Sequence, residues 1–319
     1  MARATHIALI GCGRWGRHIL RDLLALGCEV SVVAKTLASL ERAKKSGARE
    51  AVNDVTFLAN IDAVVVATPT STHFEVLSQV LDVMPGVPIY CEKALCDQLR
   101  DAEEINSRAA GSLFVMHKWR YQEGVRALKR ITESKELGAL IGIEATRHDL
   151  GSPHRDVDMI WTLLPHELSI VLHILGELPS IQSVVADRNE RGAFGLKAIL
   201  GWKPWVSLSV SGRANRAREL KLIFEEGYAM MSSDLSHDEI CIVRHSDPKG
   251  PAQGEPEIRQ LPNTMPLFQE LNAFVSFVRG ESQPPLSSGL EAVEIVGCIE
   301  AMRIRSGIQG YPTTAGEAS

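Results

Sequence analysis

The feature that most constrains this chain is a glycine-rich turn near its start, GCGRWG at residues 11–16. An apolar run at residues 6–10 precedes the turn, and apolar residues at helical spacing follow it as far as Gly27. A strand, G-x-G-x-x-G and a helix in this order are typical of a dinucleotide-binding unit. The glycines permit a tight turn, let backbone approach a pyrophosphate, and let the helix pack on the strand. A turn that merely joins two elements is the alternative. The predicted cofactor contacts are Gly11, Cys12, Gly13, Arg14, Trp15 and Gly16.

The remaining pattern indicates two domains. Apolar runs at residues 29–34, 61–67, 87–91 and 113–117 alternate with helical patterns such as 37–46 and 97–109. This alternation predicts a doubly wound parallel sheet in an N-terminal Rossmann domain, residues 1–122. For residues 123–319, we predict an α+β domain with a large, mostly antiparallel open sheet. Its predicted strands are 140–148, 181–186, 197–200, 206–210, 220–224, 240–244 and 257–261. Helices are predicted at 166–175, 267–278 and 290–304, and the last two could pack back on the first domain.

Composition and charge limit the partners. The 319 residues carry a formal net charge of -5 with no basic block, which argues against nucleic acid as the main partner. No apolar run reaches the ~18 residues of a membrane helix, and the first residues lack the pattern of a secretory signal. The six cysteines form no C-x-x-C pair. We therefore expect reduced cysteines, no metal site, no membrane partner and a cytoplasmic location.

The end of the second predicted strand bears on the cofactor. Sites that prefer NAD place Asp or Glu there to bind the ribose 2′-hydroxyl. This chain instead has Ala34, Lys35 and Thr36, and a lysine and a hydroxyl attract the 2′-phosphate that a carboxylate would repel. We predict that Lys35 and Thr36 bind NADP in preference to NAD. The alternative is that Lys35 is a solvated loop lysine and the selectivity is loose.

Two later strand ends supply further candidates. Ligands bind outside the carboxyl ends of the strands in doubly wound sheets. The residues at or just beyond those ends, and therefore predicted to contact the cofactor, are Thr68, Pro69, Thr70, His73, Glu92 and Lys93. Two alternatives remain open: His73 is a surface residue in a first helical turn, and Lys93 forms a surface ion pair with Glu92.

Four motifs in this order resemble one family. They are GCGRWG, VVVATPTSTHFE, CEKAL and PHELSIVLHILG, and the closing helical patterns fit the same resemblance. Together they resemble the Gfo/Idh/MocA oxidoreductases over nearly the whole chain. The resemblance implies a Rossmann domain followed by an α/β domain on a large antiparallel sheet. It also implies an NAD- or NADP-dependent enzyme of sugars, sugar nucleotides, inositols or related polyols.

The resemblance implies roles for single residues. Lys93 matches the family's E-K-P lysine, which bonds the reacting oxygen and helps to move a proton. His166 matches a histidine that reaches into the same site. The alternative is a capping or core histidine near the start of a helix that follows Pro165. Arg120 and Tyr121 occupy a position that often touches substrate or the domain hinge.

Two departures from the family pattern accompany these matches. Ala94 replaces the family's proline, which often adopts a cis peptide bond. Because alanine disfavours that form, the bond before Ala94 is either trans or a strained cis bond. Thr162 replaces an aspartate that contacts substrate hydroxyls, which implies a different substrate or weaker acid–base chemistry.

Basic residues before the helical motif suggest an anionic substrate. Arg147, His148, His154 and Arg155 could clamp a group such as a nucleotide diphosphate, and a solvated loop is the alternative. The predicted substrate contacts are Lys93, Arg120, Tyr121, Arg147, Thr162 and His166, of which Lys93 and His166 are the catalytic candidates.

The sequence thus predicts an NADP-preferring dehydrogenase or reductase of a sugar-like alcohol or ketone. A cofactor-binding sensor without turnover is one alternative, and imine reduction or another chemistry on the same fold is a second. We expect a homodimer or homotetramer that forms through the C-terminal sheet.

Overall fold

The computed structural model describes residues 3–151, 156–190, 192–236, 238–245 and 254–308. The strands in chain order are β1 His6–Ile10, β2 Glu29–Val33, β3 Glu50–Val52, β4 Ala63–Val66, β5 Ile89–Glu92, β6 Leu113–Met116, β7 Leu140–His148, β8 Ile181–Asn189, β9 Gly192–Leu200, β10 Trp205–Ser211, β11 Ala217–Phe224, β12 Gly227–Ser232, β13 Glu239–Arg244 and β14 Glu257–Gln260. The α-helices are α1 Gly16–Ala25, α2 Leu37–Lys45, α3 His73–Val83, α4 Leu99–Ala109, α5 Glu123–Ser134, α6 Met159–Leu175, α7 Pro266–Val278 and α8 Gly289–Arg305.

The chain divides into two compact units. The first unit comprises the residues up to Lys118 together with Pro266–Gly297, and the second comprises Trp119–Met265 with the residues from Cys298 onward. None of the described helices combines the length and the apolar character that a membrane-spanning helix needs.

The first unit is built on a six-stranded parallel sheet in the order β3-β2-β1-β4-β5-β6. β1 and β4 are buried at every position because both faces of the sheet are covered, and all their residues except His6 are apolar. Helix α7 closes the core, where the Phe274 ring stacks on Tyr90 with centroids 4.8 Å apart. The carboxyl ends of β1, β4, β5 and β6 therefore meet along one edge of the sheet.

The second unit is built on an eight-stranded sheet in the order β14-β13-β12-β11-β7-β10-β9-β8. Its neighbours are antiparallel except β7 and β10, which run parallel. Val206, Leu208 and Val210 of β10 are buried, whereas the serines between them are half-buried, as the two-residue period of a strand requires. Helix α6 packs against β7, β9 and β10 and is buried on nearly all sides.

These two sheets confirm the predicted fold class. The pattern missed the short β3 and also β12. The helix predicted at 166–175 begins at Met159 instead, because the Asp158 carboxylate accepts hydrogen bonds from the N–H groups of Ile160 and Trp161 and so caps the helix. Pro165, which suggested a helix start, lies inside α6.

Candidate functional site

The glycine turn joins β1 to α1, and its three glycines differ in their surroundings. Gly11 adopts φ +97°, and a Cβ there would lie 2.5 Å from the Ala67 carbonyl oxygen. A Cβ on Gly16 would overlap the Gly11 carbonyl oxygen. A Cβ on Gly13 would meet nothing within 4 Å. Packing therefore requires Gly11 and Gly16, whereas Gly13 leaves open space at the start of α1.

Trp15 links the glycine turn to the residues at the ends of β5 and β6. Its indole N–H donates to the Glu92 carboxylate at the end of β5. The Lys118 ammonium lies 4.4 Å from the centroid of the Trp15 ring, just beyond β6. The Trp15 side chain is still 37% exposed. The turn and the ends of β5 and β6 thus form one connected edge.

The residues after β4 include an unsatisfied hydroxyl. Thr68 Oγ1 is buried, and it has no hydrogen-bond partner within the part of the chain that the structure describes. Pro69 is exposed, and Thr70 is buried at the start of a short 3-10 turn. A buried hydroxyl at a strand end can be satisfied by a ligand group.

His73 begins α3. Its side chain is fully buried, which excludes the surface alternative, whereas its contact with the cofactor stays a prediction. Nε2 lies 3.0 Å from the Thr68 carbonyl oxygen, and Nδ1 lies 2.9 Å from that of Ala94. His73 therefore ties the backbone after β4 to the backbone after β5 and positions both segments.

Lys93 follows β5 directly and is half-buried. Its backbone N–H donates to Glu92 Oε2 at 3.2 Å, and the peptide bond from Lys93 to Ala94 is cis, the second of the two alternatives that Ala94 left open. Burial raises the pKa of Glu92, and the positive charges of Lys93 and Lys118 oppose that rise. Glu92 therefore holds Trp15 and the Lys93 backbone and is not a solvated surface carboxylate.

A second buried acid, Glu270 of α7, was missed in the sequence. The Tyr90 hydroxyl donates to Glu270 Oε2 at 3.3 Å. Burial, and then the nearby Glu92, raise the pKa of Glu270 well above its usual range. The signal was present, because Glu270 shares a helical face with the buried Leu267 and Phe274.

The start of α2 carries basic and hydroxyl groups. Lys35 is exposed, and Thr36 Oγ1 caps the helix by accepting from the Ser39 N–H at 3.2 Å. Arg42, one turn further on, donates to Ser39 Oγ at 2.9 Å. The first turn of α2 contains no acidic residue. Sequence reasoning overlooked Arg42.

Cys12 shows that Arg42 also lies near the glycine turn. Burial raises the pKa of the Cys12 thiol, and the positive charges of Arg42 and Arg17 oppose the rise. Because the Cys12 side chain is only 2% exposed, a cofactor can meet this residue only through its backbone.

In the second unit, Thr162 and His166 lie one turn apart on α6. Thr162 Oγ1 donates to the Asp158 carbonyl oxygen at 2.9 Å. The half-buried His166 ring stands edge-on to Trp119, with centroids 6.4 Å apart. Residues at this spacing project from the same helical face.

The predicted anion clamp is divided between two faces of the sheet. Arg147 is buried and forms an ion pair with Glu167 of α6. His148 points to the other face, where Nε2 lies 3.0 Å from Ser209 Oγ, and burial lowers its pKa. His154 and Arg155 lie outside the described residues. Adjacent strand residues face opposite ways, so Arg147 and His148 cannot act on one ligand.

Arg120 and Tyr121 are buried in the packing of the second unit. Arg120 Nε donates to the Ser169 carbonyl oxygen at 3.0 Å, which anchors α6. The Arg126 guanidinium carbon lies 5.2 Å from the Tyr121 ring centroid. Both side chains are buried, and their contact with substrate stays a prediction.

The residues of the first unit fit a dinucleotide. Gly13 leaves room for the pyrophosphate at the N-terminus of α1, where backbone N–H groups favour anions. Thr68 offers an unsatisfied hydroxyl at the next strand end, and Lys93 offers an amine beyond it. Fold and site thus define a Rossmann-type dinucleotide-binding unit.

Comparison with known protein families supports a dinucleotide-binding unit. Residues 5–114 match the model described as the oxidoreductase family, NAD-binding Rossmann fold, GFO_IDH_MocA. For residues 5–114, this match confirms the resemblance to the Gfo/Idh/MocA family seen in the sequence motifs.

Relatives and solved structures extend the likeness. Inositol 2-dehydrogenase of Burkholderia vietnamiensis (strain G4 / LMG 22486) is 29% identical over 204 residues, so the match spans 59% of each chain. Inositol 2-dehydrogenase 2 of Paenarthrobacter aurescens (strain TC1) is 23% identical over 318 residues, 93% of this chain and 94% of its own. The structure of UDP-N-acetylglucosamine 3-dehydrogenase from Acidithiobacillus ferrooxidans superposes with a TM-score of 0.80 at 22% identity, covering 96% of this chain and 99% of that one. That structural likeness establishes the shared fold.

Proposed function

We propose that this protein is an NAD(P)-dependent oxidoreductase that transfers a hydride between nicotinamide and a secondary alcohol or ketone of a sugar-like substrate. The observation that carries the proposal is the open space at Gly13 after β1, in the same unit as Lys93, which follows β5 of the same sheet. Relatives named as inositol and UDP-N-acetylglucosamine dehydrogenases support a polyol or sugar as the substrate class.

When bound, the nicotinamide cofactor supplies the hydride chemistry. In the proposed mechanism, the glycine turn and the N-terminus of α1 bind the pyrophosphate. Lys93 Nζ donates a hydrogen bond to the substrate oxygen and gives or takes its proton. Glu92, held by the Trp15 indole, fixes the Lys93 backbone through the Lys93 N–H. His73 fixes the segment that follows Lys93 through the Ala94 carbonyl.

The family resemblance supports a second donor, His166. We propose that His166 donates a hydrogen bond at the reacting oxygen, because imidazole changes its protonation near neutral pH. Thr162, one turn earlier on α6, offers a hydroxyl in place of the family's aspartate. The charge at this position is therefore lost, which favours a substrate different from those of the family members that keep the aspartate.

The residues at the start of α2 suit NADP better than NAD. Lys35 and Arg42 supply two positive charges, and the Thr36 hydroxyl and the helix N-terminus supply further hydrogen-bonding groups. No carboxylate in the first turn of α2 would repel a 2′-phosphate. The match to an NAD-binding family is consistent with either cofactor.

The test combines cofactor titration with a substrate screen. Fluorescence titration should show NADPH binding more tightly than NADH, and Lys35→Ala should weaken NADPH about tenfold, as loss of one charge-assisted hydrogen bond does. Lys45→Ala, an exposed lysine at the far end of α2, should change neither affinity. Sugars, polyols and sugar nucleotides are then screened at the nicotinamide absorbance band. Cofactor binding without turnover of any compound would favour the non-catalytic alternative.

We also propose that the second unit forms a homodimer or homotetramer through the sheet face opposite α6. Half-buried side chains on that face, including Thr146, Ser207 and Ser209, support this proposal. Light scattering of the purified protein tests it, and a monomeric mass at micromolar concentration would contradict it.

A further inference from the structure

Two arginines stand directly opposite each other in the second unit. Arg147 of β7 and Arg218 of β11 are partners in the antiparallel register. Like charges at such a position destabilise a sheet, because the side chains lie only a few ångströms apart. A third arginine, Arg216, is close enough that its positive charge lowers the pKa of Arg218. This arrangement requires negative charge nearby.

The protein supplies only part of that charge. Glu167 forms an ion pair with Arg147, and both side chains are buried. Asp149 Oδ2 lies 3.6 Å from Arg218 Nη2, but the Asp149 side chain is 44% exposed. Within this described group, three arginines therefore face two carboxylates.

Arg218 holds the unbalanced charge. Its Nε is buried and has no hydrogen-bond partner among the described residues, while about a third (32%) of the side chain stays exposed. Burial lowers the pKa of the guanidinium, and the positive charges of Arg147 and Arg216 lower it further. The negative charges of Asp149 and Glu167 oppose this fall in pKa. An added anion would relieve this repulsion.

The Trp119 ring connects the arginines to His166. The guanidinium carbons of Arg147 and Arg218 lie 4.4 Å and 5.4 Å from its centroid. The His166 imidazole stands edge-on to the same ring. Arg147, Arg218 and His166 therefore surround the same indole ring in the second unit.

We propose that Arg218 binds an anionic group, a carboxylate or a phosphate, on the sugar-like substrate, with the Arg147–Glu167 ion pair holding its neighbourhood in place. The substrate class is therefore an acidic or phosphorylated sugar. Guanidinium groups bind both anions in a planar, two-pronged geometry. A neutral polyol would leave the charge of Arg218 uncompensated, so the site discriminates against it. This proposal rests on the proposed function.

Binding tests the anion site independently of turnover. Glucose, glucuronate and glucose 6-phosphate are titrated by thermal shift at constant ionic strength and saturating NADP+, which occupies the cofactor's own phosphate sites. Glucuronate or glucose 6-phosphate should stabilise the wild type, and glucose should not. The anion that binds more tightly shows whether Arg218 prefers a carboxylate or a phosphate. Arg218→Gln should weaken its apparent affinity about tenfold or more, and Arg218→Lys should restore part of it.

Arg213→Gln is the matched control, because Arg213 is an exposed arginine with its own partners, Asp187 at 3.0 Å and the Phe194 ring. It should leave the anion affinity unchanged. Equal responses to glucose and to the two anions, or an equal response in the wild type and Arg218→Gln, would overturn the proposal. Anion binding that depends on Arg218 without turnover of any compound would overturn the hydride-transfer function and leave the anion site standing.

Discussion

Replacing Gly13 with alanine should separate cofactor binding from stability. The added Cβ meets nothing within 4 Å, and the φ of Gly13 lies outside the left-handed region. Alanine therefore causes no overlap and restricts the unfolded chain, so the free energy of unfolding should be unchanged or rise by about 0.4–1 kcal/mol. The same methyl group occupies the space that a pyrophosphate would approach. Overpacking of that kind costs about 1–3 kcal/mol, or roughly 5- to 150-fold in dissociation constant.

The assay pairs urea unfolding with NADPH fluorescence titration, and Gly16→Ala serves as the contrasting variant. A Cβ on Gly16 overlaps the Gly11 carbonyl oxygen, so Gly16→Ala should lower the free energy of unfolding by about 1–3 kcal/mol. If Gly13→Ala bound NADPH as tightly as the wild type, the pyrophosphate would not lie against this turn, and the cofactor argument would be refuted.

Two further predictions concern buried charges. The raised pKa of Glu270 means that the folded protein favours its neutral form, so stability is greatest below the unfolded value of about 4.3 and falls as pH rises toward the folded pKa. Glu270→Gln should therefore reduce the fall of stability with rising pH and raise the melting temperature at neutral pH. An unchanged dependence of stability on pH would show that ionising Glu270 does not destabilise the folded protein. Arg147→Leu should lower the free energy of unfolding by about 3–5 kcal/mol in urea, because Glu167 stays buried without its partner. A loss below about 1 kcal/mol would show that the pair is effectively solvated.

The sequence predicted those parts of the fold that local patterns determine. Apart from His6, β1 and β4 are apolar at every position, and the glycine spacing allows few structures other than a strand–turn–helix unit. β12 was not predicted, because apolar and polar residues alternate only weakly over Gly227–Ser232. The segment forms a strand through its pairing with β11. The start of α6 was misplaced because Pro165 outweighed the Asp158 cap in the sequence pattern.

The sequence predicted site residues only where they directly follow a buried strand. Lys93 and Thr68 follow from their positions after buried strands. The burial of His73 did not, because it depends on carbonyl groups that come from two separate loops. The pairing of Arg147 with Arg218 depends on strand register across a long sequence separation, which no local pattern encodes.

The most direct test of the central claim is turnover by Lys93→Ala, measured on whichever compound of the sugar panel the wild type oxidises or reduces. The account predicts that turnover falls about 10²- to 10⁴-fold, as loss of a general acid–base group does, while NADPH still binds. Lys129→Ala, a surface lysine of α5 paired with Glu133, should retain full turnover. Unchanged turnover in Lys93→Ala would contradict the account, because the reacting oxygen would then exchange its proton without this residue.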